Sequence, residues 1–144
     1  MADRRVRLGL LLAEIGPVGY PNAGKSTLVN RVVGTKLAIV SDKPQTTRNR
    51  ILAVRHYSGD PAAQVIFVDT PGIHRPLHRM NVRMVEVALA AMREVDVLTL
   101  VVDASVAAGP GDRYLLTLLK DVKTPAILAL NKVDVIAKAK LLPI

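Results

Sequence analysis

Gly19-Tyr20-Pro21-Asn22-Ala23-Gly24-Lys25-Ser26 fits the pattern G-x-x-x-x-G-K-[ST]. Glycines at its two ends let the backbone curl until several N–H groups point at one anion. A helix that starts at Lys25 aims its positive end at the same place. Lys25 then supplies charge to the outer phosphates of a nucleotide, and Ser26 a hydroxyl ligand for magnesium. Taken alone, the pattern also fits a glycine-rich helix start that holds no ligand, so its reading depends on the rest of the chain.

Two further motifs follow it in order. Val65-Ile66-Phe67-Val68-Asp69 is an apolar strand ending in an acid, and Thr70-Pro71-Gly72 comes next. A carboxylate at that strand end suits a magnesium ion held through water, and glycine at position 72 lets a backbone N–H approach a terminal phosphate closely. Leu128-Ala129-Leu130-Asn131-Lys132-Val133-Asp134 is a strand ending in N-K-x-D. Asp134 is an acceptor for the N1–H and exocyclic amino group of guanine; adenine has no N1–H and would leave the carboxylate unpaired. The stem of Lys132 suits the face of the base, and the Asn131 amide suits a brace. Three such motifs in order, each at a strand end, make chance a poor explanation. Between the first two lies Ser41-Asp42-Lys43-Pro44-Gln45-Thr46-Thr47-Arg48-Asn49-Arg50. This polar, proline-containing stretch reads as a mobile loop whose threonine hydroxyl completes a magnesium shell when triphosphate is bound.

The remaining pattern gives the fold class. Ile51–Tyr57, Gln64–Asp69, Asp96–Asp103 and Pro125–Asn131 read as strands, and Lys25–Val33, Leu77–Arg93 and Gly111–Asp121 as helices. Met80, Met84 and Met92 fall at helical spacing and read as core contacts. Strands alternating with helices predict an α/β fold, a mostly parallel sheet with helices on both faces. Arg75, Arg79 and Arg83 lie four apart and read as a solvated helix face, with RNA phosphates as the alternative partner.

Composition excludes several classes. The 144 residues suit one domain. With no cysteine there is no disulfide, thiolate chemistry or cysteine metal site, and His56, His74 and His78 show no metal-ligand spacing. Three tyrosines and one phenylalanine are too few for a base-stacking RNA platform. A net charge of +8 suits an anionic partner such as RNA, or simply solubility. The N-terminal run Leu8–Ala13 is too short for a membrane helix and poor as a signal peptide, which favours the cytoplasm, with an arginine-rich organellar presequence as the alternative.

The motifs Gly19 to Thr27, Lys43-Pro44-Gln45-Thr46-Thr47-Arg48, Asp69 to Gly72 and Asn131 to Asp134 together resemble the G domain of the Era family of bacterial ribosome-assembly GTPases. The Gln-Thr-Thr-Arg form points to that family rather than to its double-G-domain relatives. The resemblance runs from about Val18 to the C-terminus. It implies a P-loop NTPase fold that binds GTP and GDP, hydrolyses GTP slowly and acts in maturation of the small ribosomal subunit and its 16S rRNA. Nucleotide contacts are then expected from Gly19, Tyr20, Pro21, Asn22, Ala23, Gly24, Lys25, Ser26, Thr27, Asp69, Thr70, Pro71, Gly72, Asn131, Lys132 and Asp134. Catalysis is expected from Lys25, Thr47, Gly72 and Asn22, and magnesium ligation from Ser26, Thr47 and Asp69. Asn22 is expected to hold a potassium ion, as relatives of the family do at this loop position, or else only to brace the turn. Ile73, where many GTPases carry a glutamine, offers nothing to orient a water. The resemblance also implies a cytoplasmic protein, with peripheral membrane association.

Two departures from the family pattern set expectations. Pro17 cannot donate to a sheet ladder, so either the entering strand is shifted or residues 1–17 are an atypical segment, arising from a wrong start or an altered frame. Only ten residues follow Asp134, fewer than the dozen or so that a parallel crossover needs. The expectation is a C-terminally incomplete G domain over 18–144, without its last strand, last helix or KH domain, so that RNA binding by this chain is doubtful. The alternatives are a nucleotide-binding fragment without turnover and a basic RNA-binding piece whose nucleotide site is incidental.

Overall fold

Alternating apolar residues build the strands, and each alternate set finds its own helical cover. The structure, a computed structural model, describes residues 6–7, 10–35, 51–73, 79–137 and 139. In chain order it has β1 (Val6–Arg7), β2 (Leu10–Gly19), α1 (Lys25–Val33), β3 (Ile51–Tyr57), β4 (Ala62–Asp69), α2 (Arg79–Glu94), β5 (Val97–Asp103), α3 (Pro110–Leu119), β6 (Ala126–Asn131) and a 3-10 turn (Val133–Val135). The sheet order is β3-β4-β2-β5-β6, with β1 paired to β2. β4 and β5 run parallel to β2, and β6 runs parallel to β5. β3 is antiparallel to β4, and β1 to β2. The α/β class with a mostly parallel sheet is therefore the observed architecture.

Period-two alternation divides β4 between the two faces. Phe67 and Val65 pack with Val29 of α1, Ala53 and Ile15. Val68 and Ile66 pack on the opposite side with Val18, Leu98 and Leu100, and with Val85, Ala88 and Met92 of α2 and Leu115 of α3. One helix covers the first face and two the second. Met92 is fully buried, as its helical spacing predicts. The helix expected over Leu77–Arg93 is described from Arg79 to Glu94; Leu77 lies outside the described residues. So do Arg75, His74 and His78, while Arg83 is exposed. α3 begins at Pro110, where its missing N–H costs no helical hydrogen bond.

Pro17 does not interrupt the strand that enters the loop. β2 is continuous, and the boundary expected between residues 17 and 18 falls inside it. The ladder to β4 ends at Ile15↔Phe67, whereas the ladder to β5 runs from Ile15↔Val97 to Gly19↔Val101. In an extended chain a residue's N–H and C=O point to the same side. The Pro17 carbonyl accepts a 3.0 Å bond from the Thr70 hydroxyl, on the β4 side. The missing N–H therefore faces a place where the ladder has already finished, and the proline interrupts nothing on the β5 side. A proline is excluded from mid-strand only where its N–H has a ladder partner to lose.

β2 lies in the middle of the sheet. The chain leaves it through α1 towards β3 and β4 on one side and later lays β5 and β6 on the other. The carboxyl ends of β2, β4, β5 and β6 open at this topological switch point, the place where open α/β sheets bind ligands.

Candidate functional site

The phosphate-type loop leaves β2 at Gly19 and enters α1 at Lys25. Two of its residues are left-handed: Asn22 at φ 63° and Gly24 at φ 99°. Asparagine is among the few side chains that tolerate this region. At Gly24 a side chain is excluded twice over, because a Cβ there would also run into the Asn131 amide. That amide donates a 2.8 Å hydrogen bond to the Ala23 carbonyl, so the end of β6 braces the loop across 108 residues of chain. The opposite wall is Gly72, where a Cβ would lie 2.7 Å from Pro21 Cα. The loop after β4 thus presses backbone to backbone against the loop after β2, and the Ile73 N–H donates to the Gly19 carbonyl at 3.0 Å.

Lys25 is almost fully buried. Its ammonium donates to the Gly19 and Tyr20 carbonyls at 3.2 and 3.0 Å. Burial pushes its pKa down to about 8, against the opposing pull of the Asp69 charge. An ammonium held at its own loop carbonyls, in a place that disfavours its charge, is primed to transfer to an anion. Ser26 Oγ donates to Asp69 Oδ2 at 2.8 Å. Two hard oxygens, one from the first turn of α1 and one from the end of β4, stand side by side, a donor set that fits magnesium. Thr70 and Pro71 are fully buried and fix the course of the second loop.

At the third strand end Lys132 is left-handed at φ 59°. Its ammonium pairs with Asp103 Oδ2 at 2.6 Å. Asp134 follows in the 3-10 turn and is exposed. The structure therefore brings together Gly19 to Ser26, Asp69 to Gly72 and Asn131. Thr27 follows in the first turn of α1, and Lys132 and Asp134 stand on the adjoining rim. Thr47 and the whole Lys43–Arg48 stretch lie outside the described residues. Among the described residues no cluster of three or more His, Cys, Asp or Glu is placed to hold a metal.

Ile73 has a different place from the one its sequence neighbourhood implies. It is fully buried within the α2–α3 core, with only its backbone facing the loop. Sequence reasoning missed Asp103, although the signal was there: β5 ends in an acid just as β4 does, at the same end of a parallel sheet. Tyr20, expected as a nucleotide contact, has its ring against Gly111 at the start of α3, where a Cβ would collide with it. No helix among the described residues is long and apolar enough to cross a membrane.

A glycine-rich loop between a central parallel strand and a helix, with strand-end loops converging on it, defines a P-loop nucleotide-binding domain of the GTPase type. The chain belongs to the 50S ribosome-binding GTPase family, which it matches over residues 14–132. It is 52% identical over 117 residues to GTPase Era of Alkaliphilus metalliredigens, covering 81% of this chain and 39% of that protein. Its fold superposes with a TM-score of 0.84 on Era in complex with MgGDPNP and nucleotides of 16S ribosomal RNA, at 39% identity over 92% of this chain and 44% of that one. A lesser likeness, TM-score 0.68 at 28% identity over 85% of this chain and 45% of that one, is to NFeoB from S. thermophilus bound to GDP.AlF4- and K+. The chain spans about two fifths of the length of the curated relatives it matches. The Era-type G domain read from the motifs is the resemblance these comparisons return.

Proposed function

We propose that this chain is the GTP-binding and GTP-hydrolysing switch domain of a protein that acts in maturation of the small ribosomal subunit and its 16S rRNA. The carrying observation is the convergence of three loops on one buried lysine. Ser26 meets Asp69 at 2.8 Å, Asn131 braces Ala23 at 2.8 Å, and Lys25 sits between the first two loops. The similarity to Era, whose solved complex holds MgGDPNP and 16S rRNA, supports the choice of nucleotide and partner.

The residues have these roles. Backbone N–H groups from Asn22 to Thr27 cradle the phosphates, and the Lys25 ammonium leaves its loop carbonyls for the outer ones. The Gly72 N–H meets the last phosphate, and Thr70 and Pro71 hold its loop in place. Ser26 and Asp69, with Thr47 from the polar loop, would hold magnesium, which would supply positive charge to the phosphates. Asp134 accepts from the guanine edge. Ile73 is a core residue and has no part in aiming water. Asn22 would hold a potassium ion through its amide oxygen, and that ion would supply positive charge beside the last two phosphates; the potassium in the NFeoB complex supports this finer reading.

Titration with GDP, GTP, ADP and xanthosine diphosphate tests the guanine assignment. Asp134→Asn replaces an acceptor by a donor, so GDP affinity should fall by about a thousandfold while xanthine nucleotides gain, within the range a hydrogen-bonding site discriminates. Unchanged GDP affinity would remove Asp134 as the base reader. Single-turnover hydrolysis separates a switch from a nucleotide-binding fragment without turnover. The potassium reading predicts faster hydrolysis in potassium than in sodium at equal ionic strength. Asn22→Gly is its proper control: glycine keeps the left-handed turn at no strain but lacks the amide oxygen. A potassium effect that survives Asn22→Gly leaves Asn22 with a turn role only.

A further inference from the structure

Asp103 belongs to none of the three nucleotide motifs, yet it stands at the base rim. It ends β5 directly opposite Asn131, the first residue of N-K-x-D, as a register partner. The Ala104 N–H extends the ladder by donating to the Asn131 carbonyl at 2.9 Å. Directly paired residues share a face of the sheet, and the next residue along a regular strand points to the other face. Lys132 should therefore point away from Asp103. Its left-handed backbone, uncommon for lysine, turns it back, and its ammonium reaches Asp103 at 2.6 Å. A strained residue persists where its surroundings fix it, and such residues gather at functional sites.

Asp103 is itself held. Its other oxygen accepts from both the N–H and the hydroxyl of Ser105, the N–H at 3.0 Å. Partial burial alone would raise its pKa, but the hydrogen bonds from Lys132 and Ser105, with the Lys132 charge, hold it below the usual carboxylate value. Beyond Lys132 the chain goes straight into the turn that carries Asp134, through a Val135 N–H to Lys132 carbonyl bond of 3.3 Å. The conformation of Lys132 thus sets both its own stem and the presentation of Asp134.

We propose that Asp103 is a positioning residue for the purine-base half of the site. It anchors the Lys132 ammonium so that the lysine stem spans the carboxyl ends of β5 and β6 and the Asp134 turn is presented to the base. This rests on the nucleotide-binding reading above but not on turnover, RNA or the choice of metal. The anchor touches no phosphate, so its loss is felt only by ligands that carry a base.

The test compares GDP with inorganic tripolyphosphate, which occupies the phosphate loop alone, by calorimetric titration of the chain with magnesium present. Asp103→Asn keeps the shape and an acceptor for Ser105 but removes the charge. It should weaken GDP by about tenfold and leave tripolyphosphate unchanged. Asp103→Glu, whose carboxylate still reaches the ammonium, should recover part of the loss. In a Lys132→Met background, which keeps the stem and lacks the ammonium, Asp103→Asn should add nothing further. The idea is overturned by unchanged GDP affinity in Asp103→Asn, by equal losses for GDP and tripolyphosphate, or by a full additional loss beside Lys132→Met. A parent chain that binds GDP no better than ADP sinks the guanine reading instead. Asp103 is then judged by the change it causes in whichever purine nucleotide binds.

Discussion

The phosphate half and the base half of this site are built in opposite ways. Around the phosphate loop, Lys25, Asp69, Thr70, Pro71 and Ile73 are buried, and the two loops touch backbone to backbone at Gly72 and Pro21. Around the base rim, β6 is an edge of the described sheet, Ala126, Ile127 and Leu128 are exposed, and Asp134 stands in the open. Beyond the backbone ladder of β6 to β5, an ion pair and an amide bond tie its loop end to the rest. Phosphate is common to all nucleotides and can be met by backbone groups locked in a core. A base is told from its rivals by a few side chains, and those need only their own partners fixed.

The sharpest way to break the contrast is a pair of substitutions in the phosphate half, one that removes buried atoms and one that adds a methyl. Ile73→Ala should cost about 2–5 kcal/mol in urea unfolding, because it leaves a cavity in the α2–α3 core. A cost under about 1 kcal/mol would mean that the second loop is not part of the core. Gly72→Ala comes next. Its methyl would meet Pro21 backbone atoms at 2.7 and 2.8 Å, so one loop must give way, at about 1–3 kcal/mol. Triphosphate affinity should fall with it, whereas a neutral result would show that the two loops are free to part.

The buried lysine gives a pH effect of intermediate size. In the unfolded chain Lys25 titrates near 10.5, and in the folded chain near 8. Between those values the unfolded state holds more protons, so this group makes stability rise with pH across about 8 to 10.5; below 8 the penalty of its buried charge is fully present. Nucleotide phosphates favour the ammonium, so binding should take up a proton above pH 8. Affinity should then fall by at most about tenfold per pH unit. Calorimetry in buffers of different ionisation enthalpy reads the proton directly, and pH-independent binding across this range would place Lys25 away from the anion. The smallest effect belongs to the open edge. Ile127→Lys should shift stability by no more than about 0.5 kcal/mol, because Ile127 is 59% exposed. It should reduce self-association, since a charge on an exposed strand edge discourages pairing with other chains. A large loss of stability at Ile127 would erase the distinction between the two halves.

Much of the phosphate half was legible because its chemistry is local. Gly24, Lys25 and Ser26 are adjacent in sequence and act through one turn and one helix start. Asp69 to Gly72 likewise form one strand end and one loop. The acid at the end of β5 was legible, but the role of Asp103 was not, because that role exists only through its register with Asn131 and the reversed backbone of Lys132. Pro17 misled for a related reason: its residue type forbids one hydrogen bond, but only the sheet decides whether a partner waits for it.

By itself the sequence determined the alternation of strands and helices, the order of the three nucleotide motifs and the class of anion they suit. These follow from period, glycine placement and charge within a few residues of each other. Only the tertiary structure decided that Ile73 turns into the core, that Asn131 braces a loop 108 residues away and that Asp103 holds Lys132. Each of those depends on which strand lies beside which and in what register, and a chain's local preferences carry no record of neighbours it meets only when folded.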